Sequence, residues 1–453
     1  MKSWKSRAVA LSLAPLLTLA ACSSGSTASS PATTSSTPAA AGSGGSSSSS
    51  TSSAPALSGS LTIWNRGPID DTTALKPLID GFKKKYPTVS INAVAQPGDN
   101  YFAVLQAAVI GSKGPDIASM FPGGYQVQFQ SKMLDLNKYI PQSELKAVGA
   151  QYYAQDGDLT KATYGVPVTS SFYGLFYNRK VLSDLGVTSF PTTWTELNAA
   201  CTKVKAAGKT CIGYGSDSGS GGFPSFLDWS YLVGAASDLK GWDAMLTGTQ
   251  SYANPAVTAQ VTKWAALRTN SYTNQDVLTW RGVKAGFADG SVAMVMGGSW
   301  DTPTYEKTLG ANLGVMPAPF SDTPQKKLVR LPDNGYDVLK STKNPDAAAA
   351  FEAYIISAEG QQLVAAAGQV PSRTGIATTD KVNAALLETA ASPGWTAIPM
   401  FDNFTAPSVT DALTNGLNSV LAGKSSPSDV LDKMDSATKS LTAAQRVDYH
   451  LGS

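Results

Sequence analysis

Residues 61–120 alternate apolar and amphipathic runs in the order strand, helix, strand, helix, strand, and this order limits the fold more than any other feature of the chain. Residues 61–64 form a short apolar run. Leu75, Leu78, Ile79, Phe82 and Tyr86 then recur at helical spacing until Pro87 stops them. Residues 89–94 alternate as a strand. Asn100 can cap a helix carrying Phe102, Leu105 and Val109 that ends at Gly111, and residues 116–120 read as a third strand. Strands joined through helices predict a parallel sheet covered on both faces. The pattern continues with a capping box, Thr193-Trp-Thr-Glu196, opening a helix that ends at Gly208. Residues 292–296 form an apolar strand. Asn344-Pro345 starts a helix through Phe351, Tyr354, Ile355 and Leu363, closing near Gly368. So much α/β sequence in a chain of 453 residues exceeds one ordinary core and predicts two lobes.

The alternation starts only after a long segment that cannot fold. Lys2, Lys5 and Arg7 precede an apolar run at 8–20, too short to span a bilayer in a mature protein, and Leu19-Ala20-Ala21-Cys22 forms a bacterial lipobox. Residues 1–21 are expected to be removed as a signal peptide, leaving Cys22 as an acylated first residue. Buried acyl methylenes, at about 0.8 kcal/mol each, would hold it on the membrane. The alternative is an ordinary secretory signal with a chance cysteine at its cleavage site. From residue 23 to 58 the chain is Ser, Thr, Ala, Gly and Pro, broken only by Leu57. Without charge or apolar surface it cannot offset the entropy of ordering, so 22–58 reads as a disordered tether with a reach on the order of 35 Å. The expected location is the outer face of the cytoplasmic membrane of a bacterium.

Charge and rare residues exclude several classes of function. The formal charge of +2 becomes −1 once Lys2, Lys5 and Arg7 leave, and no basic cluster is denser than Lys83-Lys84-Lys85, so no nucleic-acid partner is expected. Cys201 and Cys211 remain, ten residues apart in an oxidising compartment; they form a disulfide or remain two separate buried thiols. The sole histidine is His450, which removes His-based triads and multi-histidine metal sites; no metal or cofactor is expected. No GxSxG elbow or Walker A sequence occurs.

Four blocks then carry a family resemblance: Gly114-Pro115-Asp116-Ile117-Ala118; Tyr164-Gly-Val-Pro-Val168 leading into Leu175-Phe-Tyr-Asn-Arg-Lys180; Phe190-Pro-Thr-Thr-Trp-Thr-Glu-Leu197; and Val292-Ala-Met-Val-Met-Gly-Gly-Ser-Trp300. Together with Glu359-Gly-Gln361 and Val370-Pro-Ser-Arg373, in this order, the chain resembles the extracellular solute-binding proteins of ABC importers, carbohydrate-binding family 1. The resemblance implies a two-lobe α/β fold of the type II periplasmic-binding-protein kind, with a ligand cleft between lobes joined by hinge strands. It implies a first lobe of residues 59–168 and about 330–375, and a second of 169–329 and about 376–453. It further implies a small solute, a carbohydrate, as ligand, membrane permease subunits as partners, and a monomeric, non-catalytic protein. A polyol or peptide ligand, or a surface-anchored glycosidase with Asp116 and Asp301 as its carboxylates, is the alternative.

A sugar presents apolar C–H faces and a rim of hydroxyls, so its site needs aromatic platforms and paired donors and acceptors near the carboxyl ends of strands. That search selects Trp64, Asn65 and Arg66 after the first strand and Phe121 after the third. It also selects Tyr173 beyond the strand expected to cross between lobes, and Gly298, Trp300 and Asp301 after the strand at 292–296. Trp300 with Asp301 would pair a stacking surface with an acceptor. Tyr101, Trp229 and Arg373 join as further candidates. The resemblance places Ser171 where the family has a carboxylate, and Phe226 and Phe404 near aromatic platforms. Bland readings compete. Trp64 and Trp229 suit a core as well, Asp116 can cap backbone amides, and Asn100 accounts for the helix start beside Tyr101.

Overall fold

The computed structural model describes residues 57–69, 73–98, 100–215, 225–274 and 280–451. The expected signal peptide, Cys22 and the expected tether up to residue 56 lie outside the described residues. Eleven strands are found among them: β1 Gly59–Arg66, β2 Val89–Gln96, β3 Ile117–Met120, β4 Gly165–Pro167, β5 Ser170–Asn178, β6 Thr210–Gly213, β7 Val292–Gly298, β8 Leu313–Met316, β9 Lys327–Pro332, β10 Gly335–Val338 and β11 Thr396–Ile398. They build two sheets, each in its own α/β layer arrangement.

The first sheet has the order β2-β1-β3-β10-β4. β1 pairs in parallel with β2 and β3, linked by helices Leu75–Lys85 and Tyr101–Ile110. The βαβαβ run is parallel as expected, and the sheet becomes mixed only through β10, which runs antiparallel to both β3 and β4. β10 belongs to a chain segment returning from the other sheet, so it enters from the opposite end. Leu61 and Ile63 of β1 bury against Leu78 and Phe82, and Phe82 meets Phe351 edge-on at a centroid distance of 5.2 Å. Each such ring removed from water contributes about 2–3 kcal/mol. The helix expected from Asn344 through Leu363 is in fact two, Pro345–Ile356 and Ala358–Ala366. Ser357 breaks it, adopting an extended ψ and accepting the Gly360 N–H to cap the second helix.

The second sheet has the order β11-β9-β5-β7-β6, with β8 also pairing with β5. β5 is buried along its whole length and runs antiparallel to β7, β8 and β9. Its side chains alternate. Tyr173, Leu175 and Tyr177 enter one core cluster, and Phe172 and Phe176 enter another on the opposite face. Cys201, in the helix Trp194–Ala206, is bonded to Cys211 in β6, fastening that helix to the sheet.

Three stretches of chain pass between the sheets, and hydrogen bonds lace them together. Val168 N–H donates to the Asn334 carbonyl at 2.8 Å, Asp333 N–H to the Thr169 carbonyl at 2.8 Å, and Ser170 N–H to the Val370 carbonyl at 2.9 Å. Among the described residues no helix is long and apolar enough to cross a membrane.

Candidate functional site

The strands of the first sheet end, at β1 and β3, on a wall of aromatic rings. Phe102 stacks on Tyr125 with centroids 4.6 Å apart, and Phe121 lies 5.8 Å from Phe102 and 5.7 Å from Tyr125. The Arg66 guanidinium sits over the Phe121 ring at 5.2 Å, a cation–π contact. Arg66 forms no salt bridge among the described residues, though its charge reaches the Asp333 carboxyl, and it and Phe121 are only half-buried.

The opposing wall comes from the second sheet. Tyr173, on β5, receives the edges of Phe226 at 6.4 Å and Trp300 at 6.0 Å, both rings near 90° to it. Trp300 lies flat across the backbone of Gly298, where a Cβ would fall 2.3 Å from the indole. Glycine is therefore required at that position for the ring to reach this place. The Tyr173 hydroxyl donates to the Asp402 carboxylate, at 2.9 and 3.1 Å from its two oxygens, and the Tyr173 carbonyl accepts the Tyr231 hydroxyl at 2.6 Å.

Between the walls lies a buried polar seam. The Asn403 amide donates to Asp333 Oδ1 at 2.9 Å, and Ser171 lies beside the same carboxyl. Burial pushes the Asp333 carboxyl up to about 6, with Asn403, Ser171 and Arg66 opposing the rise. Burial pushes Asp402 up to about 7 despite the Tyr173 bond, and the nearby Asp333 adds to it. Tyr125 is pushed up to about 12, chiefly by burial and then by Asp402, which puts the first wall within electrostatic reach of the seam. Gly123 and Gly124 press directly on the second lobe. A Cβ on either would come within 2.3 and 2.4 Å of the Asn403 and Thr405 carbonyl oxygens.

Arg66, Phe121, Phe226 and Trp300 are thus brought half-buried to the two walls, with Ser171, Tyr173 and Gly298 buried at the seam beneath them and Trp64 half-buried behind the first wall. The other readings need correction. Asn65 is buried, its amide held by the Gly67 and Pro68 carbonyls at 3.3 and 3.0 Å and its Oδ1 accepting the Tyr336 hydroxyl at 2.6 Å. Its hydrogen-bonding capacity is spent on the turn after β1. Tyr101 is buried in the core and donates to the Trp64 carbonyl at 3.4 Å. Asp116 takes the Thr62 N–H at 2.8 Å and the Thr342 hydroxyl at 2.6 Å, so both its oxygens are spent on holding structure, one on backbone and one on a side chain. Trp229 is fully buried against Phe401 at 5.8 Å and Tyr252 at 6.3 Å.

Asp301 does not accompany Trp300. It pairs with Lys284 at 2.9 Å and approaches the Gly297 backbone beside Phe176, because the 3-10 turn Ser299–Asp301 that follows β7 sends successive side chains in different directions. Arg373 bonds Glu144 at 2.8 Å and the Ile356 carbonyl at 2.9 Å, joining two helices of the first lobe. Phe404 is covered, with Tyr152 on one side at 5.5 Å and Tyr449 on the other at 4.9 Å.

Asp333, Asp402, Asn403 and Tyr125 were not selected from the sequence. Asp333 stands in Pro332-Asp-Asn-Gly335, which reads as a generic turn, and Asp402 in a four-residue helix too short for periodicity. The one usable signal was Asp402 flanked by Phe401 and Phe404, an acid inside an apolar cluster. The arrangement offers ring faces and edges, buried acceptors and one guanidinium. Among the described residues no three His, Cys, Asp or Glu side chains group as a metal site.

A family model for bacterial extracellular solute-binding proteins matches residues 77–389. Among solved structures, a chitin oligosaccharide binding protein superposes with a TM-score of 0.72 at 24% identity, covering 84% of this chain and 98% of that one. The GacH receptor of Streptomyces glaucescens, solved unliganded and with acarbose, gives 0.70 at 22% identity over 85% of this chain and 100% of its own. RafE in complex with raffinose gives 0.66 at 21% identity over 84% and 98%. At these identities the likeness is one of fold, the two-lobe solute-binding architecture. The multiple sugar-binding protein of Streptococcus mutans serotype c is 25% identical over 136 residues, which are 30% of this chain and 31% of that relative. The match therefore spans under a third of that relative's length.

Proposed function

Since the chain belongs to the bacterial extracellular solute-binding protein family, we propose that it captures a mono- or oligosaccharide between its lobes and passes it, unaltered, to an ABC permease. One observation carries the choice of a sugar. Trp300, Phe226 and Tyr173 stand as an aromatic group beside the buried acceptors Asp333 and Asp402, opposite Arg66 over Phe121. Rings match the C–H faces of a pyranose, and the acceptors match its hydroxyls. The similar proteins whose names mention chitin oligosaccharide, acarbose and raffinose support the same class.

In this reading the lobes turn about the laced crossings at 168–170, 332–335 and just beyond 371, and a ligand touching both walls selects the closed arrangement. Cys22 carries the lipid that keeps the protein on the outer face of the membrane, and the protein works as a monomer. The residues that bind the sugar are Arg66, Phe121 and Tyr125 on one side and Ser171, Tyr173, Phe226, Trp300 and Asp402 on the other. A thermal-shift screen of mono- and oligosaccharides, polyols and short peptides tests the class, because stabilisation follows occupancy. Saccharides should raise the melting temperature. A response confined to peptides or polyols would overturn the sugar reading, and a saccharide cleaved on incubation would overturn capture without chemistry.

A further inference from the structure

A segment outside the three strand crossings also lines the seam between the lobes. After the helix Pro427–Ser440 the chain forms a short turn, Ala443–Gln445, closed by reciprocal bonds between Thr442 and Gln445. The Arg446 guanidinium fastens it to its own helix through the Lys439 carbonyl at 2.8 Å. The segment then carries Tyr449 onto Phe404, edge to face, with centroids 4.9 Å apart. Phe404 belongs to the second lobe, and its other neighbour, Tyr152, belongs to the first. Tyr449 therefore backs the Phe404 ring, whose other ring contact, with Tyr152, crosses the interlobe seam.

Two cavities flank these rings. One of about 70 Å³ lies between Gln126, Tyr152 and Asp156 of the first lobe and Ala444, Val447 and Tyr449 of the segment. The other, of about 250 Å³, lies between Gly124 and Gln128 of the first lobe, Ala406 of the second, and Leu441 and Gln445. On its second-lobe side the segment is tied by hydrogen bonds. On its first-lobe side it lines a cavity shared with Tyr152 and Asp156, and Gly157 lies beside it, where a Cβ would fall 3.8 Å from the Tyr449 carbonyl oxygen. Firm attachment to one lobe and loose, apolar seating on the other is what a releasable contact needs. Dispersion holds it, and no buried ion pair must be broken to separate it.

We propose that residues 442–451 act as an interlobe clasp, with Tyr449 bracing Phe404 against Tyr152 and so opposing rotation about the strand crossings. The proposal rests on the reading that the lobes move, but its test needs no ligand. Paired spin labels at Ile110→Cys and Thr195→Cys, exposed positions on the two lobes, report interlobe distance by pulsed electron resonance in the full chain. Tyr449→Ala should add a second population at longer separation in the absence of sugar, and ending the chain after Leu441 should enlarge it. Tyr449→Phe should keep the original distribution, since the ring and not its hydroxyl makes the contact. Circular dichroism verifies that each variant is folded; should the shortened chain not fold, Tyr449→Ala decides alone. Unchanged distances in a folded Tyr449→Ala protein would overturn the clasp. A longer population in that variant without any response to sugars would leave the clasp standing and remove the sugar reading.

Discussion

The end of β1 and the end of β7 hold equivalent stations, each at the carboxyl end of a strand facing the seam, yet the residues there meet different fates. After β1, Asn65 turns inward and three hydrogen bonds consume its amide, leaving only Arg66 to face outward over Phe121. After β7, Gly298 leaves open backbone that Trp300 covers, and the next residue, Asp301, turns away to Lys284. Polar or aromatic type does not separate scaffold from site. What separates them is whether neighbours already use a side chain's bonding capacity. A buried amide whose NH2 group is engaged twice and whose oxygen already accepts a hydroxyl has little left for a ligand, whereas a half-buried indole edge-on to one tyrosine still has a free face.

The largest effect that would break this distinction is Trp229→Ala. Trp229 and Trp300 are both tryptophans selected from the sequence, but Trp229 is fully buried among Phe401 and Tyr252. Its removal should cost about 3–5 kcal/mol in a urea or thermal melt. Trp300→Ala should leave the melting temperature nearly unchanged and weaken binding of the best sugar from the screen at least tenfold, about 1.4 kcal/mol, by calorimetry. An unfolding penalty for Trp300 as large as that for Trp229 would place it in the core and remove the second wall.

The polar seam gives the next effect. Asp402 has its carboxyl raised by burial to about 7, so folding favours its protonated form. The stability it contributes is fully present below the unfolded carboxylate range near 4. It is lost as pH rises through about 7, and above that both states are ionised and the dependence flattens. Asp333, Asp337 and Glu352 are raised in the same direction by burial, so the intact protein should lose melting temperature steadily from pH 5 to pH 8. Asp402→Asn keeps an acceptor for Tyr173 and should reduce that decline by a few kcal/mol at most. An identical slope in wild type and variant would mean that Asp402 is ionised in the fold throughout this range.

How much of this was legible can be judged residue by residue. The βαβαβ start was readable because Leu61, Leu78 and Phe82 obey strand and helix periods and bury as those periods require. The antiparallel β10 was not, since a four-residue strand returning from the other sheet leaves no trace of direction in its sequence. Trp300 was readable from Gly297-Gly298 before it, because glycines in an otherwise apolar strand mark close approach. Asp333 and Asp402 stand 69 positions apart in sequence, and only the packing of a short helix against the crossing strands brings them to one seam. Phe404 was selected as an open platform; its cover, Tyr449, comes from a segment with no pattern linking it to the seam.

The smallest expected effect sharpens the comparison most. Arg66→Ala removes the outward-facing member of the β1 end while leaving Asn65 and its three bonds in place. With no ion pair to lose among the described residues, folding stability should change by less than about 1 kcal/mol, the worth of a half-exposed cation–π contact. Affinity for the sugar should fall several-fold, less than for Trp300→Ala, because a guanidinium at the rim stays partly hydrated when it donates to a hydroxyl. Arg66 also holds the Asp333 carboxyl down, so its removal should push that group further up and steepen the stability decline between pH 5 and 8. A variant with unchanged affinity and an unchanged pH slope would show that the end of β1 is scaffold throughout, and that the second lobe alone faces the ligand.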